Sequence, residues 1–287
     1  MKTLEPIKPC DRRKFIKNTD LGIGIMAAGL PLASISARAS SKKTKKLGVA
    51  LVDLGYYATE ELGPALLETA NCYLAGIVTG TKEKEKVWSE KYNIPEKNIY
   101  NYDDFDEIAK NDEIDIVYIV LPNSMHAEYT IRAAKAKKHV LCEKPMAVSV
   151  EECRKMIDVC KLNKVKLSIG YRLHYDPYHR KIMELGLGEA YGPTKFIDSS
   201  FCFRIGDNPD VWRLKKDLAG GGAIMDVGIY SIQAARYAAG EEPISVIARE
   251  YKSDPVKFSE VDDTVIWQMD TGVQGDLSRT RTGGFPM

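Results

Sequence analysis

From Leu47 onward the chain alternates short apolar runs with amphipathic helical stretches, a pattern that admits little except a parallel sheet flanked by helices. Runs 47–52, 73–78, 115–120, 139–142 and 166–170 read as strands, and 58–69, 82–92, 126–136 and 150–164 as the helices between them. Such doubly wound sheets take ligands beyond the carboxyl ends of their strands, where Gly55, Thr79, Asn123 and Glu143-Lys144 fall. After Tyr171 the texture changes. Longer alternating strands, 194–203 and 245–252, surround one helix at 223–239, which predicts a second, α+β domain with a mostly antiparallel open sheet. The expected division is an α/β domain over 40–171 and an α+β domain over 172–287.

Lys144 stands just past one of the short apolar runs, and Asp226 and Tyr230 lie one helical turn apart in a later helix. A lysine, an aspartate and a tyrosine can draw a proton off an alcohol while hydride leaves its carbon.

The first strand-to-helix turn reads Asp53-Leu-Gly55-Tyr56-Tyr57-Ala58, a dinucleotide fingerprint lacking its first glycine. After the second strand, Thr79-Gly80-Thr81-Lys82 replaces the acidic residue that would hold a ribose 2′-hydroxyl. Hydroxyls and a lysine suit a 2′-phosphate, so NADP is preferred over NAD; alternatively Lys82, Lys84 and Lys86 form the wet face of a helix.

Charge argues against a nucleic-acid partner. Residues 1–39 carry seven Lys/Arg and three Asp/Glu of the chain's 41 and 40, leaving 34 and 37 on the body, which is slightly acidic. The basic start reads as an address: Arg12-Arg13 precedes an uncharged stretch from Leu21 to Ala37, then Ala37-Arg38-Ala39, an A-x-A-like cleavage site. Residues 1–39 are thus expected to be a twin-arginine signal peptide, recognised by that export machinery and delivering a folded protein to the periplasm. Seventeen moderately apolar residues are too short for a stable membrane anchor. Beyond Cys10, five cysteines remain without metal-ligand spacing, so buried free thiols are expected and no metal.

These pieces together resemble the glucose-fructose oxidoreductase and inositol dehydrogenase family, in particular its exported glucose-fructose oxidoreductase-like branch. The marks are Val120-Leu121-Pro122-Asn123-Ser-Met-His126, Cys142-Glu143-Lys144-Pro145, Gly170-Tyr-Arg172-Leu-His174, Trp212-Arg213-Leu214 and Gly220-Gly-Gly-Ala-Ile-Met-Asp226-Val-Gly-Ile-Tyr230. The resemblance implies that Lys144 contacts the nicotinamide ribose and the sugar hydroxyl, that Tyr230 is the general acid/base, and that Asp226 holds Lys144 in register. It places Gly55, Tyr56, Tyr57, Thr79, Thr81, Lys82, Leu121, Asn123, His126, Glu143 and Lys144 beside the cofactor. His126 could equally be a cap. Arg172, Trp212 and Arg213 would close over the cofactor, with Trp212 as core the alternative. Gly220 to Gly222 would let backbone pass close by. The implied reaction oxidises a pyranose to a lactone on a tightly bound NADP, which a second carbonyl compound reoxidises.

Two departures bear on activity. Asp53 would face the pyrophosphate, and at about 5 Å with an effective dielectric near 20 each like-charge contact costs roughly 3 kcal/mol, so weakened cofactor binding is expected. The stretch from Gly275 to Met287 has no strand pattern, and the second domain is expected to be incomplete, without the homo-oligomer that the resemblance implies for full-length members. A nucleotide-dependent glycosidase of the same family and an inactive, truncated product remain as alternatives.

Overall fold

The computed structural model describes residues 45–270 and 279–283, so the predicted signal peptide lies outside the described residues. Six parallel strands form the first sheet: β1 (Leu47–Val52), β2 (Cys72–Val78), β3 (Ile99–Tyr100), β4 (Ile116–Ile119), β5 (His139–Cys142) and β6 (Leu167–Ile169). Their order, β3-β2-β1-β4-β5-β6, reverses direction at β1, which leaves a crevice between the ends of β1 and β4. Strand β1 runs in the middle of the sheet, and its last five residues are buried because helices cover both faces. One face packs a cluster around Phe105, Ile119 and Met156, the other a cluster around Leu51, Ile77 and Trp88.

The first crossover begins as a π-helical turn, Ala58–Leu62, and continues as α1 (Gly63–Glu68). Three of the others use α2 (Lys82–Tyr92), α3 (His126–Lys135) and α4 (Val150–Asn163), and the link from β3 to β4 uses a 3-10 segment, Phe105–Lys110. Ser149 caps α4 by accepting from the Glu152 amide at 3.2 Å.

The second part opens with α5 (Pro177–Leu187), a helix that the apolar pattern did not predict. Tyr178, Ile182 and Leu187 stay exposed on it while Gly186 packs against the carbonyl of Ala238, so no clean apolar stripe marks its register. It leads to β7 (Phe196–Asp198), α6 (Ile229–Ala239), β8 (Ser245–Tyr251), β9 (Thr264–Asp270) and β10 (Arg279–Gly283). The sheet order is β7-β10-β9-β8, antiparallel except where β10 meets β7. The fold is therefore an α/β nucleotide-binding-type sheet followed by an α+β domain.

Strand β10 corrects the expectation that the chain after Gly275 holds no strand. Its pairing follows from the backbone ladder offered by β9 rather than from its own side-chain pattern. The five cysteines of the described residues are free, but only Cys142 and Cys160 are buried. Cys72 and Cys153 are half-buried and Cys202 is exposed, because its segment after β7 lies outside a packed strand. No group of side chains among the described residues is arranged to hold a metal, and none of their helices is long and apolar enough to cross a membrane.

Candidate active site

A cavity of about 330 Å³ opens at the carboxyl ends of β1, β4 and β5, within the range of small-molecule sites. Gly55, Tyr56, Tyr57, Leu121, Asn123, His126, Glu143, Lys144, Arg172, Trp212, Arg213, Asp226 and Tyr230 all line it. Lys144 reaches it from the turn after β5. Asp226 comes from a π-helical turn, Ile224–Gly228, that runs directly into α6, and Tyr230 from the first turn of α6.

The three residues singled out for proton chemistry converge. Lys144 Nζ donates to Asp226 Oδ1 at 2.9 Å and to the Asp226 carbonyl at 2.7 Å, and lies 5.1 Å from the centre of the Tyr230 ring. Arg213, read from the sequence as a cofactor contact, gives its Nε to Asp226 Oδ2 at 2.9 Å, with its guanidinium 4.5 Å over the Trp212 ring. Both oxygens of Asp226 are thus held by cations.

None of Gly220 to Gly222 lines the cavity; they serve close packing instead, Gly220 against Val148 of the first part and Gly221 and Gly222 against Met225 and Asp262 of the second. Gly220 adopts φ +76°, and a Cβ on Gly222 would fall 1.7 Å from the carbonyl oxygen of Asp262. That close approach lets Asp262 accept from the amides of Gly222 and Ile224 at 2.8 and 3.1 Å, which fixes the chain entering the Asp226 turn.

His126 and Asn123 border the cavity but already have protein partners. The buried imidazole of His126 lies between the carbonyls of Pro145 and Leu121, at 2.8 and 2.9 Å. Burial outweighs those two carbonyls and holds its pKa below the usual value, so the neutral ring donates to one of them and joins the β4 loop to the Lys144-Pro145 turn. Asn123 donates to the carbonyl of Ala219 at 2.8 Å, fastening the first part of the chain to the second.

Glu143 accepts from the Tyr118 hydroxyl at 2.5 Å and from the Lys144 amide at 3.2 Å. Burial nevertheless raises its pKa, and burial followed by the Glu143 charge pushes Tyr57 up to about 12. Tyr118 went unnoticed in the sequence because it reads as one more apolar residue of a strand. Its position one residue before the end of β4, between β1 and β5, was the available signal.

Thr79, Thr81 and Lys82 do not line the cavity. Thr79 is buried and accepts from the Thr81 amide at 3.3 Å, while Lys82 pairs with Glu85 at 3.0 Å. Lys84, by contrast, is half-buried and near enough to Asp53 to pull its pKa down against the larger effect of burial, which leaves Asp53 raised. Asp53 sits at φ +71°, the left-handed conformation for which the missing glycine is suited. Its Oδ1 accepts from the Leu54 amide at 2.8 Å, taking a donor of the turn that would otherwise face an anion. The residues thus fit a dinucleotide at the Lys144 end, where the third proton of the Lys144 ammonium and Arg172 border the cavity, and present a carboxylate at the turn that should cradle its phosphates.

The chain matches the model of an oxidoreductase family with an NAD-binding Rossmann fold over residues 47–171, and that of a GFO/IDH/MocA C-terminal domain over 179–284. It is 44% identical to aldose-aldose oxidoreductase from Caulobacter crescentus, whose crystal structure superposes with a TM-score of 0.79 over 83% of this chain and 70% of that one. It is 33% identical over 201 residues to the NADP-linked D-xylose 1-dehydrogenase of Haloarcula marismortui, covering 69% of this chain and 55% of that protein. A probable dehydrogenase from Thermotoga maritima, 23% identical, shares the fold with a TM-score of 0.70 over 83% of this chain and 68% of that one. The chain spans about half the length of the curated relatives it matches.

Proposed function

The chain belongs to the GFO/IDH/MocA family of oxidoreductases, and from that premise we propose that it moves hydride between a pyranose sugar and a nicotinamide dinucleotide, NADP rather than NAD. The observation that carries this reading is the Lys144 ammonium, bonded to Asp226 and 5.1 Å from the Tyr230 ring, in the cavity at the strand ends. An ammonium has three protons, and two of those of Lys144 go to the Asp226 carbonyl and Oδ1. The third is left for a sugar hydroxyl, where the positive charge favours the alkoxide. Asp226 has both oxygens engaged and therefore orients Lys144. Tyr230 takes the hydroxyl proton as the carbon gives up hydride, leaving a lactone. The nicotinamide, when bound, supplies the two-electron acceptor. Of the residues that line the cavity, Lys144, Glu143, Tyr57 and Arg172 would hold it, and Arg213 and Trp212 would close the side formed by the second domain.

Support for NADP comes from the named cofactor of the xylose dehydrogenase, and from the half-buried Lys84, a cation within electrostatic reach of the Asp53 turn. The relative at 44% identity is named for an aldose on both sides of its exchange, which favours a glucose-fructose oxidoreductase-like cycle with a second sugar reoxidising a cofactor that stays in place. A signal at Arg12-Arg13 would deliver such a loaded protein to the periplasm. Changing both arginines to lysine should stop export, and unchanged export would refute that route.

The test of function is to purify the protein, denature it and identify released nucleotide by mass spectrometry, alongside turnover of an aldose panel. NADP near one equivalent, with aldose oxidation needing no added cofactor, is expected. Folded protein that holds no nucleotide and turns over no aldose with NADP or NAD overturns the reading and favours an inactive sugar-binding product, to which Asp53 already points. Asp53→Gly is expected to tighten dinucleotide binding by about a hundredfold.

A further inference from the structure

We propose that Phe201 and Tyr171 are positioning residues that hold the ring of Tyr230 in its working plane, an inference that rests on the acid/base role proposed for Tyr230. The Phe201 ring stacks on Tyr230 with centroids 5.1 Å apart and planes 27° apart, and the Tyr171 ring lies 5.5 Å from it at 32°. Phe201 and Tyr171 make no ring contact with each other among the described residues, so they flank Tyr230 from different sides. Neither ring is explained by core packing. Phe201 is outside both buried clusters of the second domain and remains 38% exposed. Tyr171 is buried, yet it too lies outside the clusters of the first domain, and is braced edge-on by Tyr237 at 6.1 Å and 71°. Its hydroxyl donates to the Tyr230 carbonyl at 3.4 Å, too long to account for the arrangement.

Aromatic pairs at these separations have preferred mutual orientations, and turning Tyr230 about its χ2 would disturb the Phe201 stack and the tilted Tyr171 contact at once. Turning about χ2 leaves the phenol oxygen in place on the ring axis, but its O–H and accepting lone pairs prefer the ring plane, so holding that plane sets the direction in which the proton moves in the cavity that Tyr230 lines with Lys144 and Asp226. One clamp comes from the last residue of the first family match and the other from the second match, so Tyr230 is aligned only where the two parts of the chain meet. Small misplacements of a proton-transfer group are costly to rate while leaving ground-state binding untouched.

The test uses the full chain with Phe201→Ala, Phe201→Leu, Phe201→Tyr and Tyr171→Phe. Phe201→Ala is expected to lower kcat for aldose oxidation about tenfold, with KM and retained nucleotide unchanged. Phe201→Leu, which fills space without a plane, should remain low, whereas Phe201→Tyr should recover to within about twofold and Tyr171→Phe should stay near wild type. Fluorine NMR of protein carrying 3-fluorotyrosine gives a readout without turnover: Tyr230 should show two slowly exchanging ring orientations that merge in Phe201→Ala. An unchanged kcat in Phe201→Ala, recovery by leucine equal to that by tyrosine, or a loss borne by KM overturns the proposal. So does identical fluorine exchange in wild type and variant, and this holds even if wild type turns over no sugar, the outcome that instead defeats the oxidoreductase reading.

Discussion

In β1 five of six residues are buried, whereas in β8 all seven are exposed, although each carries a short apolar run, Val-Ala-Leu-Val in β1 and Val-Ile-Ala in β8. The difference lies in what surrounds them. β1 has a strand on each side and helices on both faces, and β8 has only β9. The first half therefore stands on two large clusters, while the second divides its packing between one small cluster around Phe258 and another around Trp267. Yet Asp226 and Tyr230, for which geometry matters most, sit in the lightly packed half. Their order is borrowed from the other half through Lys144, Tyr171 and Asn123.

Removing the shared link tests this most severely. Lys144→Met should cost on the order of 10³-fold in kcat with the first sheet intact by circular dichroism, and a loss under tenfold would show that the halves do not share one site through this residue. Next, Ile119→Ala in β4 should cost about 3 kcal/mol in urea denaturation, against less than about 0.5 kcal/mol for Ile247→Ala in β8. Equal losses would break the comparison. Helix caps sharpen it further: Ser149→Ala in the first half should cost about 1 kcal/mol, and Asp176→Ala, whose side chain caps α5 in the second, should shift the urea midpoint in the same direction, since a local bond does not depend on the depth of the core beneath it.

The smallest effect is a pH dependence at Asp53. Burial raises its folded pKa above the ordinary 3.8, so the folded state carries no penalty below that value and gains one as pH rises through the folded pKa. Asp53→Asn should accordingly be more stable than wild type at pH 7 and equal to it below about pH 4, as measured by thermal melts. A constant difference across pH would assign the effect to backbone strain at φ +71° instead.

Periodicity made β1, β5 and α2 legible to the residue, because each lies where one pattern governs burial. β3 is only two residues long and joins the sheet through backbone bonds, so no side-chain pattern announces it. α5 was missed through its apolar outer face, although Asp176 followed by Pro177 was a cap-and-start signal that could have found it. At the site, the motifs brought Lys144, Asp226 and Tyr230 into view. The pairing of Arg213 with Asp226 joins residues thirteen apart across a glycine turn, and only tertiary geometry shows it. Asp53 was visible as a substitution, but its fold-back onto the Leu54 amide depends on a left-handed backbone that residue identity alone does not fix.

The buried amide of Asn123, given to the carbonyl of Ala219, also has a consequence in time. If the two halves part to let a dinucleotide out, that donor and that acceptor are left unmet until water reaches them, at about 1–3 kcal/mol for such a buried group. On a rate, this amounts to a delay of about 5- to 150-fold. One hydrogen bond at the border of the cavity would then act as a timer on the cofactor, lengthening its stay over many turnovers.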